Sequence, residues 1–130
     1  MSGATVKARI ENLMKSLLQV HKSLLLFQKA AFEKQEGTVL TPYGAWQLSM
    51  AHPDFEWLRL LSSMIIRMDD ATSGKDVPGE DAYRQFADEL NAIFNDPAQH
   101  GFFKQRLQAG LENNPELHAQ IAQLNSQIRQ

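Results

Sequence analysis

The sequence predicts an all-α protein, a helical bundle with one long N-terminal helix, a buried central helix and three shorter C-terminal helices. Three observations carry that class. Residues 4–36 contain neither proline nor glycine and place apolar side chains at alternating steps of four and three. Proline follows a capping residue at Thr41-Pro42, Asp96-Pro97 and Asn114-Pro115, the signature of a helix start. No segment alternates with period two for long enough to propose a strand. At 130 residues the chain has the usual size of one domain, so a single helical domain over 1–130 is the expectation.

The elements follow in order. Val6, Ile10, Leu13, Leu17, Val20, Leu24, Phe27 and Ala31 form the seam of the first helix, widened on one side by Leu18, Leu25 and Phe32. Lys15, Lys22 and Lys29 mark its wet face, where Leu26 also lies. Gly37 can close this helix in a left-handed conformation, and Thr41-Pro42 then opens a short helix at 42–51. The run HPDFEWLRLLSSMIIRMDD (52–70) restarts at Pro53 and reads as the central helix. Its apolar residues cover an arc of about 240° at 100° per residue, leaving a wet strip of Arg59, Ser63 and Arg67. Residues 71–79 contain glycine, proline and charge without apolar period, and read as the exposed loop.

Beyond the loop, Ala82, Phe86, Leu90, Ile93 and Phe94 share one face of a helix at about 79–95. Two further helices are expected at about 97–112 and 115–129. The last has a narrow seam of Leu117, Ile121, Leu124 and Ile128, which resembles a coiled-coil contact and marks it for self-association. Trp46, Trp57, Phe102, Phe103 and Tyr43 are expected in the core, because aromatics at helical spacing bury large areas.

Charge and composition narrow the function classes. A net charge of -2 gives no electrostatic footprint for nucleic acid or anionic lipid. The chain has no cysteine, which removes thiol nucleophiles and thiolate metal sites. Charged residues interrupt the N-terminal apolar run, so neither a signal peptide nor a membrane span is expected, and the cytoplasm is the expected location. His21, His52, His100 and His118 are scattered without the Glu-x-x-His or His-x-x-x-His spacing that sets two ligands on one helical face. A phosphate-binding glycine loop and a nucleophile elbow are also missing from the sequence. No metal, cofactor or catalytic residue is assigned.

One polar constellation stands out. His21 and Gln28 fall inside the apolar arc of the first helix, and Ser62 and Asp69 inside that of the central helix, each pair at heptad spacing. If the two helices pack, the four could meet, because buried donors and acceptors need partners. Asp69, near a helix C-terminus, needs one most, and His21, Arg9 and Arg106 are the candidates. Such a cluster could be a histidine–carboxylate dyad or ligand site. The other reading, which the residues favour, is a hydrogen-bond network that registers the helices.

The run from HKSLL (21–25) through AAFEKQEGTVLTPYGAWQLSMAHPDFEWLRLLSSMIIRMDD to FFKQRLQAGLENNPELHAQI (102–121) resembles a family of small uncharacterised bacterial proteins. The closest likeness lies in HPDFEWLRLLSSMIIRMDD, with PELHA a looser match. The resemblance implies an all-helical fold and a bacterial cytosol, and no activity, cofactor or site residue. The expected function is therefore a non-enzymatic module that binds a protein partner or a second copy of itself. The alternative is a small-molecule binder or enzyme built on the polar cluster around His21 and Asp69.

Overall fold

A computed structural model describes the backbone of residues 3–129 and the side chains of residues 6–129. The described residues form helices and no strand. The long helix α1 spans Gly3–Glu36, followed by α2 (Pro42–Ala51), a 3-10 turn (Pro53–Leu58), α3 (Arg59–Ser73), α4 (Glu80–Asn95), α5 (Gly101–Leu111) and α6 (Pro115–Ile128).

Local chemistry explains most of the boundaries. Gly37 closes α1 at φ 66°, and the Thr38 amide donates to the Glu33 carbonyl at 3.1 Å, the bond of a Schellman closure. Thr41 caps α2 by accepting from the Gly44 amide, and Asn114 caps α6 by accepting from the Leu117 amide. His52 plays the same part for the 3-10 turn, its Nδ1 accepting from the Asp54 amide. Asp96-Pro97 behaves differently from expectation. The Asp96 carboxylate accepts from the Ala98 amide at 2.9 Å and from the Gln99 side chain, a local turn that competes with helix initiation. These bonds, the Ala98 amide first, hold the Asp96 pKa below the ordinary carboxylate value. His100 then takes a left-handed conformation, and α5 begins at Gly101 instead of residue 97.

Helix α1 is the packing hub. Val6, Ile10, Leu13, Leu17, Val20 and Leu24 are buried, and α3, α6, α4, α5 and the 3-10 turn all pack against it. Gly110 lets α5 come close, since a Cβ there would stand 3.2 Å from Leu24 Cδ2. Leu117 and Leu124 of α6 are fully buried against this core, with Ile121 and Ile128 partly buried beside them. The α6 seam is thus consumed within the chain, which corrects its expected role in self-association.

The run 52–70 is two elements. In the 3-10 turn each residue advances about 120° instead of 100°, so the turn shifts the phase of α3 by roughly 100° relative to a continuous α-helix. Phe55, Trp57 and Leu58 are buried from the turn, and Leu61, Met64, Met68 and Thr72 from α3. Ile66, inside the expected apolar arc, is exposed. Helix α3 also runs three residues past Asp70, so the loop occupies 74–79.

Candidate functional site

The phase shift decides the fate of the polar constellation. Taking Leu61 as the centre of the buried face, Ser62 and Asp69 stand roughly 100° and 80° to one side, at its edge. Ser62 is half-buried and reaches α1, where its Oγ lies 3.0 Å from His21 Nε2. Asp69 is exposed, and the anticipated partners are engaged elsewhere. Arg9 pairs with Glu80 at 2.9 Å and covers the Tyr83 ring, Arg106 binds Gln28, and His21 binds Ser62. The expected meeting of Asp69 with His21 is therefore corrected.

Gln28 belongs to a second network. It is only 5% exposed, and its Oε1 accepts from Trp57 Nε1 at 2.9 Å and from Arg106 at 2.8 Å. The Arg106 guanidinium lies over the Phe27 and Trp57 rings, at 5.2 and 5.6 Å from their centroids. One carbonyl oxygen thus ties α1, the 3-10 turn and α5 together. Nothing in residue spacing could have paired Gln28 with Arg106 across 78 positions.

Around His21 a cavity of about 240 Å³ opens between three helices. His21 and Leu25 come from α1, Ser49 and Met50 from α2, and Arg59, Ser62 and Ile66 from α3, with Leu58 completing the lining. Burial lowers the His21 pKa below the ordinary histidine value, so the ring is neutral at neutral pH and offers one donor and one acceptor. The Ser62 hydroxyl also lies 3.3 Å from the Leu58 carbonyl, a bond back to the preceding turn. Arg59 donates to the His52 carbonyl at 3.3 Å, while its Nε is sealed from solvent and has no hydrogen-bond partner.

A serine nucleophile needs its base, a group orienting that base, and donors for the developing oxyanion. Only the Ser62–His21 distance meets those requirements. Asp69 is about 10 Å further along the helix axis, and the backbone around Ser62 lies within α3. The pair as built joins α1 to α3 by one side-chain contact.

One surface was not expected from the sequence. No residue of α2 is buried, and Tyr43, Trp46 and Met50 are more than half exposed, with Tyr43 and Trp46 stacked at 5.9 Å. Phe102 is exposed as well, so of the five aromatics expected in the core only Trp57 and Phe103 are there. A signal was present: from Gly37 to Ala51 the sequence has no acidic or basic residue. Leu26, on the lysine face of α1, lines an open groove between α1 and α6 and is more than half exposed.

Among the described residues, no helix is long and apolar enough to cross a membrane, and no group of three or more metal-ligating side chains converges. No family model, curated protein or solved structure matches the chain.

Proposed function

We propose that this protein is a non-enzymatic helical interaction module of a bacterial cytosol that self-associates through α2. The observation that carries the reading is the outer face of α2, an uncharged helix that buries none of its residues and presents Tyr43, Trp46 and Met50 together. Aromatic residues and methionine are enriched at the centre of protein interfaces, and charged residues are depleted there. A neutral face can meet its own copy without repulsion. The absence of lysine and arginine from α2 argues against an anionic membrane surface as the occupant, because interfacial helices carry basic polar faces. The chain's slight negative charge argues against nucleic acid in the same way.

Helix α2 is about 15 Å long, so a dimer resting on it buries less than the roughly 800 Å² per partner of a standard interface. A weak, concentration-dependent dimer is the expected behaviour. Sedimentation velocity over a wide concentration range tests it. The wild-type chain is expected to shift from monomer to dimer, and Trp46→Glu to stay monomeric with an unchanged circular-dichroism spectrum. A wild-type chain that remains monomeric at the highest concentration would sink the proposal.

A further inference from the structure

We infer that the cavity between α1, α2 and α3 is a binding site for a small monocarboxylate with an apolar body, independently of whether two chains associate. The lining combines apolar side chains, Leu25, Met50 and Ile66 among them, with the polar groups of His21, Arg59 and Ser62. Its one cation is the Arg59 guanidinium, and no acidic side chain is part of the lining. Arg9 and Arg67 pair with glutamates, whereas Arg59 has no carboxylate within ion-pair distance among the described residues. One terminal nitrogen of Arg59 donates to the His52 carbonyl and its Nε is sealed from solvent, so Nη1 is the nitrogen left to meet an anion.

A carboxylate supplies what this wall lacks. Guanidinium and carboxylate match as planar, charge-assisted partners. His21, kept neutral by burial, and Ser62 add hydrogen-bonding groups without a competing charge. Size constrains the apolar part. A cavity of about 150 Å³ accepts benzene, so about 240 Å³ accommodates one ring and a short carboxylate arm. Ser49 and Met50 bring α2 into the lining, and α2 itself packs chiefly on the 3-10 turn.

Calorimetric titration of the full chain with phenylacetate tests the site, with 2-phenylethanol as the uncharged match. Phenylacetate is expected to saturate and to bind about tenfold or more tightly than the alcohol, the effect of one charge-assisted contact. Arg59→Met, which keeps the apolar stem, is expected to abolish that preference while leaving the alcohol's weak binding unchanged. Equal affinity for acid and alcohol, or an undiminished preference in Arg59→Met, would overturn the inference, as would the absence of any saturation by the acid. Should Arg59→Met lose the native helical spectrum, Ile66→Glu decides instead, since that side chain is 61% exposed and tolerates charge. An anion at the rim is expected to weaken phenylacetate selectively, and unchanged acid binding there would overturn the site.

Discussion

Helices α2 and α6 begin with the same chemistry and end in opposite environments. Each follows a capping side chain and carries proline at its first position, Thr41-Pro42 in one and Asn114-Pro115 in the other. Helix α6 has the sparser apolar pattern, yet Leu117 and Leu124 are fully buried against α1. Helix α2 is richer in apolar and aromatic residues and buries none of them. Capping decides where a helix starts, and the position of α1 decides which helix finds a partner inside the chain. A narrow stripe suffices where a long neighbour lies alongside. A broad apolar face stays exposed where the chain has turned away.

Substitution on the two helices should break this symmetry most visibly. Leu124→Ala is expected to cost about 2–5 kcal/mol in urea denaturation, because it opens a cavity beneath α6. Trp46→Ala should change stability by no more than about 0.5 kcal/mol despite removing a larger side chain. A comparable loss in the two variants would mean that α2 is docked after all.

The Gln28 network offers a smaller test of how α1 organises its neighbours. Gln28→Ala leaves Trp57 Nε1 without its acceptor and removes one from Arg106, and should cost about 1–3 kcal/mol. Trp57 emission is expected to shift as its surroundings change. An unaltered denaturation midpoint would show that the network adds nothing to the packing around it.

The smallest expected effect is acid sensitivity at the α1–α3 contact. The native state lowers the His21 pKa, so the unfolded chain takes up a proton that the native chain resists. Stability from neutral His21 is fully present above the unfolded value of about 6.5, and is lost as pH falls from there toward the lowered native value. His21→Gln removes that titration. Its denaturation midpoint should therefore fall less between pH 7.5 and 5 than that of the wild type, and equal losses would assign the acid response to other groups.

Much of the architecture is legible in single residues. Gly37, Thr41 and Asn114 act where their chemistry predicts, and the stripe from Val6 to Leu24 is the core of the bundle. Asp96 is the exception that shows the limit, because one side-chain carboxylate can cap a helix or close a tight turn, and the sequence does not rank those outcomes. The site was half legible. Ser62 and His21 do meet, since both lie where α1 and α3 approach. Asp69 does not join them, because it lies seven residues, about 10 Å, further along α3 than Ser62 and is exposed there.

The sequence by itself determined the helical class, most of the helix starts and the apolar stripe of α1, because capping bonds and periodicity act within a few residues of chain. Tertiary structure alone decided that Gln28 joins Trp57 and Arg106, that Arg59 lines a cavity beside His21, and that α6 is covered while α2 is left open. Those outcomes depend on helix phase and on which helices lie side by side, and small angular errors in phase accumulate along a chain until they carry a side chain from core to surface.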